Sequence, residues 1–252
     1  MKISFFEEFP AKSNLERLKL IAWPTKVYLA AKSLEEFNEL KNKIKRKNIK
    51  EFVYWPVLKK KEGYWISPFA RRAALRRIFN ELNNTTTPVM LDLELPTTQN
   101  PWLYLTELFN FIRNKKLIKN FIKNYRGQVY LAEYYPEGKR KEQVLQAFGI
   151  HYQSKKAKII KMVYHSLHHF NQEFLANELS RGKQEFGHNF LVAYGTTAKG
   201  IGGQEPSLSR EQLKLDLILA REQKIKEVII FRLGGLTNEY VRLLARFAEK
   251  RK

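Results

Sequence analysis

Short runs of β-branched and aromatic residues alternate along the chain with stretches whose apolar positions recur every three or four residues, and the alternation repeats eight times. The first kind of pattern reads as strand and the second as amphipathic helix. Strands are predicted at Lys2–Glu7, Lys26–Ala31, Glu51–Val57, Val89–Leu95, Gln128–Glu133, Lys158–Tyr164, Asn189–Tyr194 and Glu227–Arg232. Several of these runs are nearly continuous Val, Ile, Leu, Phe and Tyr, the signature of parallel strands covered on both faces. The helices between them are expected at Asn14–Ala22, from Ser33 (with Glu36 three residues on, a capping box), Arg71–Leu82, Pro101–Asn124 with a break near Lys115, Lys139–Phe148, Asn171–Arg181, Ser209–Gln223 and Asn238–Glu249. Eight βα units in 252 residues are what a single (β/α)8 barrel, the TIM-barrel architecture, requires. An open doubly wound sheet is the alternative, because closure is not itself written in a periodicity. No internal repeat and no linker divides the chain, so residues 1–252 are expected to form one barrel domain.

Charge changes this picture more than composition does. Forty-six Lys and Arg stand against 25 Asp and Glu, a formal net charge of +21. The basic residues gather at Lys41–Lys50, Lys59–Lys61, Lys115–Arg126 and Lys155–Lys161, mostly on helices or their ends. They read as a solvated basic surface, with contact to a polyanionic partner as the sharper alternative. No run of eighteen uncharged apolar residues is present, so no membrane span is expected. The start, MKISFFEEFP, carries two acids where a signal peptide needs its apolar stretch, and the chain has no cysteine; a cytoplasmic protein is expected.

In a barrel of this type the chemistry sits where the strands end. The polar residues there are Glu7 and Glu8 on the first strand, Tyr54 and Trp55 on the third, Asp92 and Glu94 on the fourth, Glu133, Tyr134 and Tyr135 on the fifth, Tyr164, His165 and Ser166 on the sixth, Tyr194 and Thr196 on the seventh and Arg232 on the eighth. Carboxylates and aromatic rings dominate, the residue types a carbohydrate site uses: rings stack on sugar faces and acids move protons. Within Val89–Leu95, strand alternation puts Met90, Asp92 and Glu94 on one face and three leucines on the other. The leucines are expected to face the helices and the two acids the barrel axis. Two buried carboxylates repel and are poorly solvated, so one favours holding a proton, which suits a general acid. Neutralisation by an inward cation such as Arg232 is the structural alternative.

Asp92-x-Glu94 closing the fourth strand resembles the tail of the D-x-x-D-x-D-x-E motif of family 18 glycoside hydrolases and their non-catalytic, chitinase-like relatives. Met162-Val163-Tyr164-His165 is similar to that family's M-x-Y-D, and the end of the eighth strand, residues 228–235, looks like its G-x-x-x-W ending, with Phe231 or Arg232 near the tryptophan position. The departures are that the first two aspartates of the strand-four motif are missing, that Tyr54-Trp55-Pro56 stands where the family has S-x-G-G, and that His165 replaces the strand-six aspartate. The resemblance implies a glycosidase acting on an N-acetylhexosamine-containing glycan. Glu94 would protonate the leaving oxygen, Asp92 would steady the positive charge, Tyr164 would hydrogen-bond the acetamido oxygen, and Trp55 or Tyr54 would stack on a ring. Glu7, Glu133, Tyr134, His165, Tyr194 and Arg232 complete the candidate substrate-binding set. No cofactor or metal is expected in this reading.

Three further features carry alternatives. His165, His168 and His169 hold three of the five histidines, and with Glu133 they suggest a metal-dependent enzyme on a sugar phosphate or nucleic acid. The loop Gly195–Gly203 follows the seventh strand, and barrels often bind phosphate with the loops after strands seven and eight, where Lys199 and Arg232 could supply charge. The segment 60–69 places Tyr64, Trp65, Ile66 and Phe69 in a loop, as a wall over the barrel mouth or as a satellite cluster packing the loop. A non-catalytic carbohydrate-binding barrel is the remaining possibility.

Overall fold

A computed structural model of the chain describes residues 1–134, 139–167, 170–203 and 205–249. Eight strands, β1 (Lys2–Glu7), β2 (Thr25–Ala31), β3 (Ile49–Pro56), β4 (Val89–Leu93), β5 (Val129–Tyr134), β6 (Lys158–Met162), β7 (Phe190–Gly195) and β8 (Glu227–Phe231), close in chain order into a barrel. The chain is a (β/α)8 TIM barrel. Its α-helices among the described residues are α1 (Lys12–Glu16), α2 (Leu34–Lys43), α3 (Arg72–Leu82), α4 (Leu103–Thr106), α5 (Phe111–Asn124), α6 (Lys139–Ala147), α7 (Gln172–Phe186), α8 (Arg210–Glu222) and α9 (Asn238–Ala245). Its contacts group into two compact units, Met1–Ala30 with Leu40–Val53 and Ile160–Lys252, and Ala31–Glu39 with Tyr54–Ile159.

Three boundaries differ from expectation for identifiable reasons. β4 ends at Leu93 rather than Leu95: the Asp92 carbonyl accepts from Ile66 N (2.9 Å), so a loop segment replaces the neighbouring strand there. Residues 101–124 break near Glu107, not Lys115. Glu107 is buried, takes φ −104° and ψ 6°, and accepts from Asn110 Nδ2 (2.9 Å), which ends α4 and leaves a single 3-10 turn, Leu108–Asn110, before α5. Lys115 lies inside α5, its Nζ donating to the last carbonyls of α6 at Gln146 and Ala147 (2.8 and 2.9 Å). At the start of α2, Ser33 accepts from Glu36 N (3.2 Å), while the Glu36 carboxylate reaches Lys32 N (2.7 Å), one residue earlier than a capping box places it.

Register fixes the two faces of each strand. In the first unit, Ser4, Phe6, Tyr28, Ile229 and Phe231 share one face, and Phe5, Val27 and Ile230 the other. The inner face carries a buried polar group at its start: Glu227 accepts from Ser4 Oγ (2.7 Å), Tyr28 OH (3.3 Å) and Lys26 Nζ (3.2 Å), and Lys26 also pairs with Glu51 (3.2 Å). In the second unit, Tyr54 is in register with Val89, and Leu93 with Glu133, so these share a face; Met90, Asp92, Tyr130 and Ala132 share the opposite one. Tyr54 identifies the first of these as the helix-facing side, because its ring meets Phe37 of α2 at 5.3 Å.

Candidate active site

Strand phase sorts the candidate residues more sharply than strand position does. On the second unit, Leu91 and Leu93 face the helices, and Asp92 projects from the inner face with Met90. Glu94 follows two residues on, just past the strand and half-buried. Trp55, next to Tyr54 in β3, takes the inner face and is buried, and Tyr134 continues the inner row of Tyr130 and Ala132 at 37% exposure. Asp92, Trp55 and Tyr134 therefore share one side of β3, β4 and β5. Tyr54 does not belong with them. It faces the helices, where burial and the carboxylates of Glu81 and Glu36 push its hydroxyl well up from the ordinary tyrosine range. Glu133 also faces outward and is fully buried, accepting from Tyr152 N (3.1 Å) and pairing with His151 Nδ1 (2.6 Å), whose Nε2 lies 3.1 Å from Glu142. It clamps the segment before β6 and is closed to a substrate.

On the first unit four of the candidates are held by other protein groups or sealed. Glu7 has the parity of Phe5, the outer face, and is fully buried. Its carboxylate accepts from Phe9 N (2.8 Å), Gly234 N (2.6 Å) and Arg232 Nη1 (3.1 Å); burial raises its pKa, against the lowering pull of Arg232. Arg232 is thereby occupied: it also donates Nε–H to the Lys199 carbonyl (2.9 Å) and lies over the Phe9 ring (4.9 Å). Tyr194 shares the face of Ile230 and is sealed, its hydroxyl pushed well up by burial and by Asp216 of α8. His165 is buried too, with Nδ1 2.8 Å from Asp216 and Nε2 donating to the Phe170 carbonyl (3.1 Å), so it ties the loop after β6 to α8. Tyr164 behaves otherwise. It is half-buried, its ring 5.8 Å from the inner-face Phe231 and close against Gly195, where a Cβ would stand 3.3 Å from it.

Strand position offers Glu8 beside Glu7, and parity separates the two. Glu8 alternates with Glu7 onto the inner side, and its Oε2 and the Phe231 ring both lie close to Gly200, each 3.0 Å from where a Cβ would stand. The signal for it was parity, counted from Ser4 and Phe6. The glycine-rich loop holds an anion of its own: Gly200 N and Gly202 N donate to the Glu205 carboxylate (3.1 and 3.0 Å), so the amides that would cradle a phosphate are engaged. In segment 60–69, Tyr64, Trp65, Ile66 and Phe69 are all buried, and Phe69 packs on Tyr104 and Phe111 (4.7 and 4.8 Å), as a satellite cluster does. His168, His169 and Tyr135 lie outside the described residues. Both ring nitrogens of His165 are engaged by protein groups, Nδ1 by Asp216 and Gln212 and Nε2 by the Phe170 carbonyl.

No protein-family model matches the chain, and no curated protein sequence does. Solved structures match throughout. The chain aligns with a family 18 chitinase from Pseudoalteromonas aurantia over 98% of its own length and 100% of that protein's, at 7% identity and a TM-score of 0.56. Its fold is that of the family 18 chitinases. A chitinase from Chromobacterium violaceum aligns over 99% of both chains at 8% identity and a TM-score of 0.56. The spore cortex-lytic enzyme SleL of Bacillus megaterium aligns over the whole of this chain and 75% of that one, at 11% identity and a TM-score of 0.51. At such identities the likeness is one of backbone alone. What the likeness shows is the barrel fold; within it, Asp92 projects from the inner face of β4 and Glu94 stands two residues on.

Proposed function

We propose that this chitinase-type barrel hydrolyses a glycan containing N-acetylhexosamine, with Glu94 as general acid and base. The observation that supports the reading is phase: Asp92 stands on the inner face of β4 while Leu91 and Leu93 face the helices, and Glu94 follows two residues on, just past the strand. A carboxylate held on the inside of a barrel, where apolar side chains would pack better, is the kind of costly placement that chemistry explains. In the proposed reaction the acetamido carbonyl oxygen of the substrate attacks C1 as Glu94 protonates the departing glycosidic oxygen, giving an oxazolinium ion. Glu94, now ionised, takes a proton from water, whose oxygen opens that ring at C1 and restores the acetamide. Asp92 steadies the positive charge on the acetamido nitrogen. Tyr134, on the inner face and exposed, supplies a surface for a sugar ring, and the buried Trp55 shares that strand face. Tyr164 is assigned the acetamido oxygen through the M-x-Y resemblance.

The test is turnover of fluorogenic N-acetylglucosamine oligomers by the wild type and by Glu94→Gln. Wild-type cleavage reduced at least about a thousandfold in the variant, with unchanged circular dichroism, is the expected result; general acid–base catalysis alone contributes ~10²–10⁴-fold. Absence of wild-type turnover on a broad glycoside panel overturns the hydrolase. Retained oligosaccharide affinity without turnover would instead indicate a binding barrel.

A further inference from the structure

The segment after β4 leaves an unusual row of apolar side chains in water. Trp102 is 71% exposed and Phe109 91%, and Leu105, Leu108 and Ile112 are each more than half exposed. They are not loosely held. Beneath them Phe69 packs against Tyr104 and Phe111, and Leu103 is buried, so the backbone is anchored from below while, among the described residues, nothing covers the outer row. The row continues into α5. Ile112, Lys116, Lys119 and Lys123 are spaced by four, three and four residues, one face of a helix, and all four are exposed. Arg113 and Arg126 are exposed nearby. From residue 101 to 126 the single acid is Glu107, buried and bonded to Asn110. The face thus runs from an apolar end to a cationic end without an exposed negative charge.

We infer that this face docks the protein onto an anionic lipid bilayer, the apolar end entering the acyl boundary and the lysines lying on the headgroups. Trp and Phe beside branched aliphatics, followed by lysines, is the pattern of interfacial helices. Branched aliphatic side chains such as Leu105, Leu108 and Ile112 offer no flat surface for a pyranose, which argues against a glycan as the occupant. A second copy of the chain would bring like charges together, since each face carries cations and no exposed acid. No helix among the described residues is long and apolar enough to cross a membrane, so the attachment is peripheral. The inference stands apart from the proposed glycosidase activity.

The protein carries its own reporter. Of the four tryptophans, Trp23, Trp55 and Trp65 are buried, and Trp102 is exposed. Vesicles of phosphatidylcholine with phosphatidylglycerol should shift tryptophan emission to the blue and co-sediment the protein; pure phosphatidylcholine should bind it at least about tenfold more weakly. Trp102→Ala should abolish the shift. Leu105→Ser with Phe109→Ser should reduce sedimentation about tenfold, and Lys116→Gln with Lys119→Gln should weaken both binding and its salt dependence. These positions are on the surface, and unchanged circular dichroism separates lost docking from lost fold. No binding to phosphatidylglycerol vesicles at low salt overturns the inference. So does binding indifferent to the serine pair, which would mean diffuse charge attraction. A dimer in sedimentation velocity that Phe109→Ser dissociates would assign the face to a second copy instead.

Discussion

His165 Nδ1 lies 2.8 Å from the Asp216 carboxylate and 3.3 Å from Gln212 Nε2, and its Nε2 donates to the Phe170 carbonyl (3.1 Å). Burial pulls its pKa down, but the hydrogen bond and charge of Asp216 and the Phe170 carbonyl together leave it raised above 6.5. The stabilisation this pairing contributes is therefore complete below the unfolded-state pKa and is lost as pH climbs through the higher folded-state value. Urea midpoints should fall from pH 6 to pH 9 in the wild type and fall less steeply in His165→Gln. The same residue shows what could be read from sequence. That it follows the sixth strand was legible; that it faces α8 was not, because β6 carries a lysine on each face, Lys158 and Lys161, and gives no phase. β4 is the exception, since three leucines alternating with Met90, Asp92 and Glu94 declare which side is which. Glu7, Tyr54, Glu133, Tyr194 and Arg232 all sit at strand ends, yet each points outward or is bound to another side chain. Position at the end of a strand is necessary for the site; parity decides.

Elements were legible wherever a local signal repeated. Ser209 accepts from Gln212 N (3.1 Å) at the head of α8, where the sequence places a cap, and Asn171 does the same for α7 (2.7 Å to Phe174 N). Less visible was the break at Glu107, because a buried acid inside an amphipathic stretch looks like one more polar helix position. Packing between elements is likewise hidden. Gly182, within α7, lies where a methyl group would overlap the buried Phe190 ring of β7. Helix propensity alone favours Gly182→Ala by ~1 kcal/mol. Overlap with a ring that cannot withdraw should reverse the sign, for a net loss of about 1–2 kcal/mol, seen as a lowered midpoint in thermal unfolding.

For the molecule as a whole, barrel closure followed from counting βα units, whereas the polar interior followed from nothing local. Lys26, Glu227, Ser4 and Tyr28 come from β1, β2 and β8, and only their register brings them together. Lys26→Met leaves the Glu227 carboxylate buried without its cation, and should destabilise the protein by about 3 kcal/mol in chemical denaturation. Combining it with Glu227→Leu should recover most of that loss, because the apolar pair needs no solvation.

The Glu205 carboxylate seated on the amides of Gly200 and Gly202 means that the mouth of β7 comes with its counterion built in. A phosphorylated ligand must evict a tethered competitor before it can use those amides, at an effective concentration no free buffer ion matches. A neutral sugar meets no such rival.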